Sequence, residues 1–173
     1  HSCALTTAGA VKCWGNNGAG QVGTGDTITP VPMPTDVVGL GSGVALLATG
    51  DNHNCVALIS GGVKCWGSNN YGQLGTGDAG GYLASPVDVT PLSSGIVGVF
   101  AGGDRSCALT EDGRLKCWGA AYLGNNTTLV SYVPVDLAGL DGGLVSSADL
   151  GSTGGCVRGA DGTAHCWGSN SYR

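Results

Sequence analysis

Residues 107–119 read Cys107-Ala-Leu-Thr-Glu-Asp-Gly113-Arg-Leu-Lys-Cys117-Trp118-Gly119. The Glu111-Asp112-Gly113 centre predicts a hairpin whose three-residue loop is a type I turn closed by a left-handed glycine bulge. Gly113 suits the closing position because glycine adopts positive φ without a Cβ penalty. Counting outward pairs Thr110 with Arg114, Leu109 with Leu115 and Cys107 with Cys117. Directly opposed residues of an antiparallel pair have Cα atoms about 4.5 to 5.5 Å apart, which a disulfide can bridge.

The same text recurs along the chain, and a fixed period of this size signals a repeat architecture. Tryptophan occurs at 14, 66, 118 and 167, spaced 52, 52 and 49 residues apart, each time between Cys and Gly. Ten positions before each Cys-Trp-Gly cysteine lies another, pairing Cys3 with Cys13, Cys55 with Cys65, Cys107 with Cys117 and Cys156 with Cys166. Gly9, Gly61, Gly113 and Gly162 hold the same place in the four hairpins. A nine-residue gap across a hairpin does not supply the tetrahedral clustering of a structural zinc site. Four disulfides are therefore expected, and with them an oxidising compartment: extracellular, periplasmic or cell-surface.

Each Trp-Gly leads into a long polar loop, Gly15 to Asp26 and Gly67 to Asp78, shortened in the third copy to Gly119–Asn126. A stretch beginning with proline follows, at Pro34, Pro86 and Pro134, which suits an edge strand. Then comes an apolar run of small residues, 44–50 or 96–102, leading into the next hairpin. No stretch has helical periodicity, so the expectation is an all-β chain with about four short strands per unit. Four strands in roughly 50 residues is the arithmetic of a β-propeller blade, with a solenoid of hairpins as the other option. The blade is preferred because the apolar, small-residue strand reads as an innermost strand buried on both faces.

Several motifs mark a resemblance to the regulator of chromosome condensation repeat family. They are His1-Ser2-Cys3-Ala4-Leu5, Gly9-Ala10-Val11, Trp14-Gly15 and Gly20-Gln21-Val22-Gly23, with Gly50-Asp51-Asn52-His53, Gly61-Gly62-Val63, Trp66-Gly67 and Gly72-Gln73-Leu74-Gly75 in the second copy. The chain resembles a secreted, disulfide-containing, bacterial-type version of that family. The resemblance implies a propeller, commonly closed by about seven blades. This chain then supplies about three and a half: repeats 1–52, 53–104, 105–153 and a partial 154–173 in a single domain, starting and stopping inside a repeat.

Composition narrows the function. With 34 Gly and 42 % hydrophobic residues among 173, the chain is turn-rich and folded rather than disordered. A net charge of -5 lacks the basic footprint of a nucleic-acid binder. The longest apolar tract, 44–48, is far short of the ~20 residues a membrane helix needs. Gly18 to Gly23 fits a dinucleotide fingerprint in form, but a loop with prolines follows where a helix would have to start. His1 could chelate copper, yet it stands at the repeat position of His53, Arg105 and Gly154. His165, in place of Lys12, Lys64 and Lys116, reads as a solvated strand residue. Asp26 and Asp78 read as turn or cap residues rather than calcium ligands. Asn125 and Asn126 are glycosylation acceptors in form. A single Glu111 gives no carboxylate pair, and no catalytic, cofactor or metal residues are expected.

The expected function is a non-enzymatic extracytoplasmic module that binds a protein or other ligand. Its expected contact loops carry Asn17, Gln21, Asn69, Tyr71 and Gln73, because small polar residues with a few aromatics suit adaptable recognition. The alternative role for these residues, the glutamines above all, is to tie adjacent blades together. The alternative function is a structural subunit of a surface fibre, assembled through blade faces that stack on neighbours.

Overall fold

The computed structural model describes residues 1–139 and 144–169, so the end of the fourth repeat, 170–173, lies outside the described residues. The described residues form fourteen strands and no helix, in four antiparallel meander sheets. The first holds β1 (Ser2–Leu5), β2 (Val11–Gly15) and β3 (Val31–Asp36). The second holds β4 (Val44–Thr49), β5 (His53–Leu58), β6 (Val63–Ser68) and β7 (Tyr82–Asp88). The third holds β8 (Ile96–Gly102), β9 (Arg105–Thr110), β10 (Leu115–Gly119) and β11 (Ser131–Asp136). The fourth holds β12 (Val145–Leu150), β13 (Gly154–Gly159) and β14 (Ala164–Gly168).

The cysteine hairpins have the register counted from the sequence. Cys107 faces Cys117, Leu109 faces Leu115, and the Thr110 N–H donates to the Arg114 carbonyl around Gly113 at φ 78°. Disulfides join Cys3–Cys13, Cys55–Cys65, Cys107–Cys117 and Cys156–Cys166, each with Cα atoms 4.1 Å apart. The proline-bearing strands β3, β7 and β11 are outermost in their sheets, where a missing N–H costs no ladder bond. Each is pinned by a cross-strand ion pair: Lys12–Asp36 at 2.6 Å, Lys64–Asp88 at 2.8 Å and Lys116–Asp136 at 2.7 Å.

The inner strands correct one expectation. The apolar runs do form the inner edges β4 and β8, but they are not buried on both faces: Leu46 is 39 % and Val97 55 % exposed. Their small residues answer a different need, the close approach of consecutive blades. A Cβ on Gly102 would lie 2.2 Å from the Leu150 carbonyl oxygen of the next inner strand.

The core lies between sheets. Val11, Val22, Val37, Leu40, Val44, Val56 and Trp66 join the first to the second. Ala57, Leu74, Val89, Ile96, Ala108 and Trp118 repeat the arrangement one blade on, and Leu115, Leu123, Leu150 and Val157 continue it. Each sheet therefore buries its faces against its neighbours, the propeller solution to covering a small sheet.

Candidate interaction surface

The polar loop after each tryptophan sits at the joint between two blades. In the first joint the Asn17 carboxamide is completely enclosed. Its Oδ1 accepts from the Val22 N–H at 2.9 Å, and its Nδ2 donates to the Asp26 and Ile28 carbonyls at 3.1 and 3.2 Å. Gln21 accepts from the Ala19 N–H at 2.8 Å and donates to Asn52 of the next blade at 3.3 Å. Its backbone carbonyl receives the Trp66 indole N–H at 3.1 Å and the Asn54 amide at 2.8 Å.

The second joint repeats these contacts. Asn69 accepts from the Leu74 N–H at 3.1 Å, and Gln73 accepts from the Tyr71 N–H at 2.9 Å and donates to Asp104 at 2.9 Å. The Gln73 carbonyl receives the Trp118 indole at 2.9 Å and the Ser106 hydroxyl at 2.8 Å.

Asn17, Gln21, Asn69 and Gln73 are all buried: the asparagine amides tie their own loops, and the glutamine amides reach the next blade. Of the five expected contact residues, Tyr71 alone is exposed, at 48 %. The tryptophans were missed as joint residues, although each Gly-Gln-x-Gly loop is followed one repeat later by a Cys-Trp-Gly. Trp66 and Trp118 are 0 % exposed.

The histidines belong to the same joints. His1 Nε2 lies 2.8 Å from Asn54 Oδ1, and His53 Nε2 lies 2.9 Å from Ser106 Oγ. Because the Ser106 hydroxyl gives its proton to the Gln73 carbonyl, it accepts from His53, which places the imidazole proton on Nε2. His53 Nδ1 is buried without a partner among the described residues, and burial lowers the His53 pKa to about 4. Asp104 moves the other way: burial and then the nearby Asp51 charge raise its pKa.

Asp26 and Asp78 serve as local turn ties. Asp26 accepts from Thr24 Oγ1 at 3.0 Å and the Ile28 N–H at 3.1 Å, and Asp78 from Thr76 Oγ1 at 2.5 Å. Among the described residues no group of three or more His, Cys, Asp or Glu side chains could hold a metal ion. Asn125 Oδ1 accepts from the Thr127 hydroxyl at 2.9 Å, while Asn126 is exposed.

The third joint departs from the pattern. Tyr122 stands where Gln21 and Gln73 stand in the earlier loops, and the Trp167 indole N–H is buried without an acceptor among the described residues. A cleft of about 360 Å³ opens there between Tyr122, Asn126, Thr127 and Leu137 on one side and His165 and Trp167 on the other. Elsewhere the outer rim is aromatic and aliphatic: Tyr82, Leu83, Leu129, Tyr132 and Val133 are exposed. Tyr132 packs on Gly72, where a Cβ would meet its ring at 2.4 Å, so it sits beside the Tyr71 loop.

Profiles of the Regulator of chromosome condensation (RCC1) repeat match residues 1–21, 44–73 and 96–129 in one form and 60–109 in another. The probable E3 ubiquitin-protein ligase HERC4 of Mus musculus is 33 % identical over 155 residues, covering 87 % of this chain and 15 % of that protein. The E3 ubiquitin-protein ligase HERC2 of Homo sapiens is 31 % identical over 177 residues, covering 98 % of this chain and 4 % of its own length. Human WBSCR16 superimposes with a TM-score of 0.84 at 25 % identity over 97 % of this chain and 45 % of that one. Yeast RCC1 (Prp20), solved with Kap60 bound, gives 0.79 at 24 % over 92 % and 40 %, a likeness of fold. The chain thus spans a small part of its curated relatives and under half of these structures. With these profile matches and relatives above 30 % identity over most of its length, the chain belongs to the Regulator of chromosome condensation (RCC1) repeat family and folds as consecutive blades of its propeller.

Proposed function

We propose that the chain is a non-enzymatic, extracytoplasmic protein-interaction module whose disulfide-closed blades present an aromatic rim to a partner. The observation that carries this reading is the exposure of Tyr71, Tyr82 and Tyr132 while the loop amides are buried. Exposed tyrosines on a rigid scaffold are favoured at interfaces because they bury large area at small entropic cost. Related folds support a protein partner: yeast RCC1 (Prp20) has been solved with Kap60 and described for its binding to Gsp1p and histones. The placement outside the cytoplasm rests on all eight cysteines pairing, since reducing compartments keep such thiols free. The ligase activity named for HERC4 and HERC2 is not carried to this chain, which matches 15 % and 4 % of their lengths.

The test immobilises the oxidised chain and exposes it to surface and secreted proteins of its source. Retention of a partner by the native chain, lost in a folded Tyr71→Ala/Tyr132→Ala variant, is the expected result. Retention that ignores the substitutions, or none at all, overturns the reading, and recovery of the native chain with free thiols overturns its compartment. Assembly that grows with the concentration of the chain alone would favour the fibre alternative.

A further inference from the structure

Asn17-Gly18 is the one Asn-Gly pair in the sequence. In this dipeptide a backbone nitrogen readily attacks the preceding carboxamide, because glycine has no side chain to obstruct the approach and its φ and ψ are free to reach it. The fold does not ask for glycine there. Gly18 is not among the positive-φ glycines, and a Cβ on it would meet only Asn16 Oδ1, at 3.5 Å, an ordinary contact. The second loop, nearly the same text, has Asn70 at this position after the buried Asn69.

The folded chain locks both reacting groups. Asn17 is 0 % exposed, and its Nδ2 has four oxygens within 3.3 Å: Thr24 Oγ1, the Asp26 carbonyl and carboxylate, and the Ile28 carbonyl. Its Oδ1 accepts from the Val22 N–H at 2.9 Å. The Gly18 N–H, whose nitrogen is the nucleophile, donates to Asn16 Oδ1 at 2.9 Å. Attack on Asn17 Cγ therefore requires the loop to open first.

We propose that Asn17-Gly18 is a latent deamidation site, a one-way switch that the fold guards and that opening of the first loop releases. The Gly18 nitrogen forms a bond to Asn17 Cγ and the Cγ–Nδ2 bond breaks. The proton of the Gly18 N–H ends on the leaving nitrogen, which departs as ammonia. Water then opens the five-membered imide at either carbonyl, leaving aspartate or isoaspartate. The sum is asparagine plus water giving acid plus ammonia, with no oxidant or reductant. The product cannot return to the enclosure. A carboxylate has no N–H to donate, so the Asp26 and Ile28 carbonyls lose their donor and a second negative charge faces the Asp26 carboxylate, an arrangement costly to bury. The same loop carries Gln21, whose carbonyl takes the Trp66 indole and the Asn54 amide, so the first joint is what loosens. This inference does not depend on the protein-interaction reading.

The experiment incubates the full oxidised chain, and a reduced sample opened in urea, in mildly alkaline water labelled with heavy oxygen, and maps the label by peptide mass spectrometry. Asn17 should take up label at least about ten-fold faster in the opened sample, since the folded rate is set by how rarely the loop opens. Asn69 in the opened sample should lag Asn17 by at least about ten-fold, because Asn70 follows it. Gly18→Ala should keep the native circular dichroism and slow labelling of Asn17 in the opened chain by a similar factor. Asn16→Ala, which frees the Gly18 N–H, should raise the folded-state rate by about two- to ten-fold. Asn17→Asp, the product made directly, should exchange its Val22 amide and Trp66 indole protons faster than the native chain or fail to refold, while Asn70→Asp, at the exposed position of the second loop, leaves both unchanged. Equal labelling of folded and opened chains, undiminished labelling in Gly18→Ala, or native exchange in Asn17→Asp overturns the inference.

Discussion

His53 is neutral in the folded chain because its ring is enclosed, donates to Ser106 and has no partner for Nδ1 among the described residues. Its pKa falls from 6.5 to about 4, so below pH 6.5 the unfolded chain binds a proton that the folded chain resists. Stability is complete above that range and falls as the pH drops toward 4. A shift of this size corresponds to about 3 kcal/mol. Asp104, whose pKa is raised by burial and by Asp51, works in the opposite direction and softens the slope. Urea midpoints at pH 7, 5 and 4 should decline steadily, and His53→Gln, which keeps a donor toward Ser106, should flatten that decline. An unchanged profile in the variant would place the acid sensitivity elsewhere.

At the scale of elements, the tryptophan joints separate into two kinds. Trp118 is fully buried and donates to the Gln73 carbonyl, whereas the Trp167 indole has no acceptor among the described residues. Trp118→Phe removes a made hydrogen bond as well as volume and should cost about 2 to 3 kcal/mol. Trp167→Phe removes an unmade one and should cost about 1 kcal/mol less, a comparison read from denaturant midpoints of the two variants. The hairpins divide similarly by access to solvent. Cys55, Cys65, Cys107 and Cys117 are buried, while Cys156 and Cys166 are exposed. Limited reduction followed by alkylation and mass spectrometry should therefore label the Cys156–Cys166 hairpin first, because exchange requires approach of a thiolate to sulfur. Preferential labelling of Cys55 or Cys107 would contradict the burial.

For the whole molecule, the four hairpin loops contribute on the order of 2.5 kcal/mol each in the chain-entropy account, so around 10 kcal/mol together. That matches the entire stability of an ordinary domain. Full reduction should consequently unfold the chain at room temperature, visible as loss of the near-ultraviolet signal of its tryptophans. Survival of that signal in excess reductant would show that the inter-blade packing suffices alone. The exposed Lys12–Asp36 and Lys116–Asp136 pairs lie in solvent, where such pairs are worth about 0 to 1 kcal/mol. They set register more than stability.

The sequence by itself determined the hairpins and the cysteine pairing through local rules, a glycine at positive φ setting the turn and the turn setting which residues oppose each other, while the recurrence of that text gave the period and the resemblance it carries gave the propeller. Residues 107–117 carry the turn, the register and the cysteine pairing within one hairpin. The fate of Asn17, Gln21, Asn69 and Gln73 was decided only by tertiary structure, since an amide on a polar loop looks the same whether it meets water or a neighbouring blade. Packing of Trp66 and Trp118 from the next repeat closed that choice across 45 residues. The same holds for β4, whose apolar text is silent about the axis it faces.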